Sequence, residues 1–298
     1  MTTVQTIEIH GLSKRFGAVA AVSDLSFTVE PGRVTGFLGP NGAGKTTTLR
    51  MLLGLVKPTS GTATFGGTSY RQLRAPLSTV GTALEAASFH PGRSAHNHLA
   101  VYAAAAGIGR ARVDTVLGQV GLADYAGRRV GGYSLGMRQR LGLAFALLGD
   151  PGVLVLDEPI NGLDPEGIRW IRTLLRELAA EGRTVLVSSH LLSEVQQTVD
   201  RLIIIAGGRL VYEGGLDELD HSTQVVVDSP NRPALAAALL AAGAEPRETD
   251  AGLAVVGIDA ARVGAVALSA GVPLSLLMVQ HGGLENSFLE LVGEGGRP

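Results

Sequence analysis

Gly39-Pro40-Asn41-Gly42-Ala43-Gly44-Lys45-Thr46-Thr47 fits the phosphate-binding pattern G-x-x-x-x-G-K-[ST] at every fixed position. The run Arg33 to Leu38 before it reads as a short strand, and Leu49, Leu52, Leu53 and Val56 after it recur at helical spacing. The glycines therefore sit at a strand-to-helix turn, where backbone N–H groups converge on phosphate oxygens at the positive end of the helix. Lys45 adds a point charge for the β- and γ-phosphates, and Thr46 offers a hydroxyl to Mg²⁺. A second constellation lies where the apolar run Gly152 to Leu156 ends in Asp157-Glu158-Pro159. Two adjacent carboxylates at the end of a buried strand are costly unless a cation or solvent faces them. Asp157 suits Mg²⁺, and Glu158 suits the base or orienting group for an attacking water. The chemistry these residues point to is attack of water on a nucleoside triphosphate with Mg²⁺ beside it, although the phosphate loop alone does not separate kinases, GTPases and transport ATPases.

Elements that hold these residues can be read around them. Residues 86–150 are alanine-rich with helical spacing, and break at Pro91-Gly92 and Gly131-Gly132. They read as a helical insertion ahead of the Asp157 strand. Asp164 is a candidate N-cap with Pro165 in the first turn of the next helix, whose inward face carries Ile168, Ile171, Leu174, Leu175 and Leu178. Strands alternating with helices predict an α/β fold with a mixed, largely parallel sheet. Composition changes near residues 219–221, giving expected domains of 1–220 and 221–298. In the second domain Val225–Val227 followed by an alanine-rich run ending at Gly243 is echoed by Ala254–Val256 and a run ending at Gly271. This near-repeat predicts two strand–helix–strand halves, a small α+β domain of four strands and two helices with no cluster of chemical groups.

Several of these segments together resemble the ATP-binding cassette family. Tyr133-Ser134-Leu135-Gly136-Met137-Arg138-Gln139-Arg140 stands where that family carries its signature, usually Leu-Ser-Gly-Gly-Gln, and Ser134, Gly136 and Arg140 match. Asn161-Gly162-Leu163-Asp164 is similar to the family's D-loop, and Ser188-Ser189-His190 to its switch-histidine segment. The resemblance covers roughly residues 4–220. It implies a P-loop NTPase cassette in which Ser134 and Gly136 face the γ-phosphate held by the other subunit of a head-to-tail dimer. It also implies that His190 contacts the γ-phosphate and that Phe16 stacks on adenine. Leu84-Glu85 through Phe89-His90-Pro91, and Leu284-Glu285-Asn286-Ser287-Phe288-Leu289, resemble the drug- and antibiotic-export group. The implied protein is the ATPase subunit of an exporter, driving a separate transmembrane permease from the inner face of the membrane.

Two positions depart from the family pattern. Ser-Leu-Gly-Met replaces the usual Ser-Gly-Gly-Gln, so Leu135 and Met137 are expected to pack inward or against a partner. Glu85 stands where the family places a glutamine that touches Mg²⁺, and no glutamine between Gln72 and Gln119 replaces it. A carboxylate remains a hard oxygen ligand, so Glu85 joins Thr46 and Asp157 as an expected metal contact.

Composition narrows the class. The 298 residues contain no cysteine, which excludes disulfides, iron–sulfur clusters and a thiolate nucleophile. A net charge of −2 argues against a nucleic-acid footprint. No basic-then-apolar leader opens the sequence, and no apolar run reaches bilayer-spanning length, so a cytoplasmic location is expected. Two rival readings stay open at this level: a soluble cassette clamp on nucleic acid or the ribosome, and a regulatory module that binds ATP without turnover.

Overall fold

The computed structural model describes residues 5–84, 89–219, 223–249, 251–281 and 284–295. The chain divides into two compact units, residues 1–214 with 292–298, and residues 215–291.

In the first unit, β1 (Ile7–Phe16) and β2 (Val19–Val29) form a long hairpin, followed by β3 (Val34–Leu38), α1 (Lys45–Leu52) and β4 (Ser60–Phe65). Next come α2 (Pro76–Thr79), β5 (Val80–Ala83), α3 (Ala95–Ala105), α4 (Ala111–Gln119), α5 (Leu135–Leu147), β6 (Val153–Asp157) and α6 (Pro165–Ala180). β7 (Thr184–Ser189), α7 (Leu192–Val195), β8 (Arg201–Ala206) and β9 (Arg209–Gly215) complete the series. Two sheets result. One is antiparallel with order β2-β1-β4; the other has six strands in the order β5-β6-β7-β3-β8-β9, with β5, β6, β7, β3 and β8 parallel. β3, β6, β7 and β8 are apolar almost end to end because helices and the antiparallel sheet leave neither of their faces to water.

One core cluster joins the layers: Ile7, Ile9, Leu25 and Phe27 of the antiparallel sheet pack with Phe37, Leu49, Leu52, Val155, Leu186 and Ile203. Phe27 and Phe37 meet with ring centroids 5.4 Å apart. α6 follows its sequence pattern: Asp164 accepts from the Gly167 N–H at 2.8 Å, and Ile171, Leu175 and Leu178 are buried. Ile168 and Leu174 flank that stripe, half-buried. α1 stops four residues short of Val56, since Gly54 turns the chain with a positive φ of 67°.

The second unit contains α8 (Leu216–Leu219), β10 (Thr223–Asp228), α9 (Arg232–Ala241), β11 (Pro246–Thr249), β12 (Gly252–Val256), α10 (Ala260–Ser269) and β13 (Leu276–His281); α11 (Leu284–Gly295) closes the chain. Its strands run antiparallel in the order β11-β12-β10-β13, the split βαβ arrangement. Val225, Val227, Leu253 and Val255 form its core with Leu235, Leu239 and Val263 of the two helices.

α5 lies so close to β5 that a Cβ added at Gly81 would overlap the Ala146 carbonyl oxygen and crowd Pro151. Gly81→Ala is therefore expected to destabilise the first unit by about 2–3 kcal/mol, the usual cost of overpacking against backbone. A thermal melt checks this, and an unchanged midpoint would show that α5 can move away freely.

Candidate functional site

Parallel register brings the sequence motifs to one edge of the sheet. Leu38 at the end of β3 lies opposite Ser189 of β7, and Asp157 at the end of β6 lies opposite Ser188. The glycine loop leaves β3 there, so Lys45, Thr46, Asp157, Glu158 and His190 meet around one point. Gly44 makes the sharp entry to α1 with φ of 104°, a conformation that L side chains rarely adopt. No acidic residue lies in the first turn of α1 to compete with an anion at its positive end.

Asp157 is only 9% exposed, and both its oxygens are used. Thr46 Oγ1 donates to Oδ2 at 2.9 Å, and the Ser188 hydroxyl donates to Oδ1. Thr46 and Asp157 thus present two adjacent hard oxygen donors, which fits Mg²⁺. The Lys45 ammonium, buried alongside, donates to the carbonyls of Gly39 at 2.7 Å and Pro40 at 3.3 Å, and stands 3.9 Å from Glu158 Oε1. Glu158 is held at both ends. Its N–H donates to Ser188 Oγ at 3.1 Å, and Oε2 lies 3.0 Å from His190 Nδ1. Its φ of 50° is left-handed, a strain of about 1–2 kcal/mol for a non-glycine residue that aims the side chain out of the strand line.

Burial dominates the electrostatics of this pair. It holds the Lys45 ammonium below the ordinary lysine range against the attraction of Glu158 and Asp157. It raises the Glu158 carboxyl above the ordinary glutamate range, outweighing the hydrogen bond and charge of His190 and the charge of Lys45. A carboxylate so raised is a better proton acceptor near neutral pH than an exposed one.

The remaining expected residues lie apart from this cluster. Phe16, 52% exposed, ends β1 with Lys14 Nζ 4.9 Å from its ring centroid. Ser134 is the N-cap of α5, its hydroxyl accepting from the Met137 N–H at 3.2 Å, with Gly136 in the first turn. Leu135 remains 55% exposed and Met137 half-buried, so of the two expected packings, inward or against a partner, the inward one is incomplete. Glu85 lies outside the described residues. Residue-type reasoning named Ser188 only as part of the switch-histidine segment and gave it no role, although a hydroxyl at the end of the strand beside Asp157 was the available signal. It also passed over Glu194, whose Oε2 accepts from Ser189 Oγ at 2.7 Å beside His190.

The chain is similar to known proteins in sequence and in fold. A family profile described as ABC transporter matches residues 22–161, and one described as a domain of unknown function matches residues 223–285. The chain is 45% identical over 222 residues to the bacitracin transport ATP-binding protein BcrA of Bacillus licheniformis, covering 74% of this chain and 72% of that one. It is 36% identical over 211 residues to the lantibiotic transport ATP-binding protein SrtF of Streptococcus pyogenes, covering 71% and 91%. A solved ATP-binding subunit of an ABC transporter superposes with a TM-score of 0.66 at 27% identity, over 72% of this chain and 91% of that one. A dimeric ATP-binding cassette in a post-hydrolysis state with ADP and Pi superposes at 0.64 with 23% identity, over 70% and 98%, which bears on the fold alone.

The raised Glu158 carboxyl has a consequence for stability. A group with a raised folded pKa favours folding below its unfolded value, here 4.5, and that advantage is lost as pH rises through the folded value. Glu158→Gln is therefore expected to melt higher than the wild type in the ligand-free state at neutral pH. The gap should close as pH falls toward 4.5. Paired melting curves across that range check the sign.

Proposed function

The chain belongs to the ABC transporter family of ATP-binding cassettes, and on that premise we propose that it is the ATP-hydrolysing subunit of a membrane exporter. The observation that carries this reading is the convergence of Lys45, Thr46, Asp157, Glu158 and His190 at the ends of β3, β6 and β7. Gly39, Pro40, Asn41, Gly42, Ala43, Gly44 and Thr47 complete the cradle, whose N–H groups and helix end take the triphosphate. Lys45 exchanges its carbonyl partners for β- and γ-phosphate oxygens. Thr46 and Asp157 would hold Mg²⁺, which when bound would offset the negative charge of the triphosphate. Glu158 orients the attacking water and accepts its proton; the oxygen bonds to the γ-phosphorus as the bond to ADP breaks. His190 steadies Glu158 and offers its other ring nitrogen to the γ-phosphate.

The site is completed by a second cassette. Ser134 and Gly136 of one subunit face the γ-phosphate on its partner, at the N-terminus of a 13-residue helix, and Phe16 stacks on adenine. No helix among the described residues is long and apolar enough to cross a membrane, and a separate transmembrane chain supplies the path. Two relatives are named for bacitracin and lantibiotic transport, which supports an antibiotic as the class of cargo. In this reading residues 1–220 are the cassette, 221–298 an accessory domain, and the protein works on the inner face of the membrane.

Glu158→Gln is expected to keep ATP binding while slowing hydrolysis by roughly 10²-fold or more. The slowed enzyme should accumulate a dimer on size-exclusion chromatography with Mg-ATP. Turnover at the wild-type rate would remove Glu158 from the mechanism. Lys45→Ala is expected to weaken binding of a fluorescent ATP analogue and abolish turnover, because it deletes the buried cation that offsets triphosphate charge. Unchanged affinity and turnover together would mean that the loop is not the working site.

A further inference from the structure

Gln139 is the fifth residue of α5, one turn beyond the Ser134 cap, and its side chain reaches across to the turn that follows β6. Nε2 donates to the main-chain carbonyl of Glu158 at 3.0 Å and to that of Asn161 at 3.4 Å. Both acceptors are carbonyls, so the amide must present its NH₂ to them. Leu135 lies four residues earlier on the same face of α5, and its side chain rests on Gly162 so closely that a Cβ there would overlap it. Gly162 also holds a positive φ of 76°, which suits glycine. The face of α5 bearing Leu135 and Gln139 is therefore seated on segment 158–163.

The bond to Glu158 matters because of where it falls. Glu158 sits in the left-handed region and would relax to negative φ unless its peptide groups were held. Ser188 takes its N–H, while its carbonyl accepts from the Asn161 N–H at 3.2 Å and from Gln139. Relaxation of the turn would swing the carboxylate away from His190 and Lys45, and a misplacement of about 1 Å at a reacting group can cost 10²-fold in rate.

We infer that Gln139 is a positioning residue for ATP hydrolysis, holding the strained Glu158 turn through its main-chain carbonyl. The inference rests on the role of Glu158 proposed above. Because Gln139 shares a helix with Ser134 and Gly136, it also ties the segment that faces the partner's nucleotide to the carboxylate that acts on its own.

The test is a double-mutant cycle on the full-length chain, using Gln139→Met, which keeps length and volume but removes the donor, together with Glu158→Gln. Gln139→Met is expected to lower kcat for ATP on the order of tenfold while KM stays within about twofold, a loss made only in the transition state. Combined with Glu158→Gln it should cost nothing further, since its effect passes through the carboxylate that is already gone. Should Gln139→Met lower the melting temperature, the same cycle with Gln139→Leu, which also removes the donor without adding charge, run below both midpoints, gives the same readout. Wild-type kcat in the single variant, or losses that multiply in the double, would overturn the inference while leaving Glu158 in its role. Wild-type turnover of Glu158→Gln alone would sink both readings, and that outcome is separately visible.

Discussion

The site depends on one buried carboxylate. Asp157 is accepted at the end of a fully apolar strand because two hydroxyls reach it, Thr46 from the start of α1 and Ser188 from the end of β7. A buried carboxylate without such partners would neutralise or force the strand end outward. These bonds fix three separate elements to one another. The glycine loop lies where β3 ends, between β7 and β8, so its helix can deliver Thr46 to Asp157 only if β3, β6 and β7 run parallel and stop in step. That requirement fits a six-stranded sheet in which five consecutive strands, β5, β6, β7, β3 and β8, share one direction. The antiparallel sheet, by contrast, tolerates several register shifts without disturbing the chemistry.

Glu158 shows how that rigidity is used. The residue after Asp157 leaves the strand with a left-handed turn, and the conformation persists because neighbours take up its peptide groups. Strain of this kind holds only where the surroundings over-determine it. Here the surroundings are the anchored strand ends on one side and the helical insertion on the other. Elements far apart in sequence thus converge on a single peptide, and its carboxylate gains a fixed aim toward His190 and Lys45.

Much of this was legible from residue types alone. The phosphate loop, the Asp157-Glu158 pair and the Asp164 cap of α6 are local signals whose meaning does not depend on distant contacts, and the cap hydrogen bond is where the pattern puts it. The halves of the second unit announced themselves because β10 and β12 are apolar runs followed by alanine-rich helices, whereas β11, with Pro246, Arg247 and Glu248, carries no strand signature. Strand order was not legible, since it is set by packing between segments 30 to 170 residues apart, as in the bond from the Val34 N–H to Asp200. Ser188 and Gln139 escaped for a related reason. A serine closing a strand and a glutamine on a helix are ordinary residues until tertiary structure shows what lies opposite.

The charges at the site share a common logic. Lys45 and Glu158 are opposite in sign and 3.9 Å apart, yet burial pushes each toward its neutral form. Their mutual attraction therefore does not cover the cost of removing both from water. A ligand that brings its own charge changes that balance unequally. Triphosphate oxygens would favour the charged form of Lys45 strongly, and would disfavour the ionised form of Glu158 unless a cation screens them. The position of Asp157 and Thr46 beside this pair answers that second demand, because a divalent ion held there offsets the phosphate charge that Glu158 would otherwise meet. Adjacent carboxylates at the end of one strand thus take different parts: the first is hydrogen-bonded by two hydroxyls and suited to a cation, and the second is pushed by burial toward its protonated form.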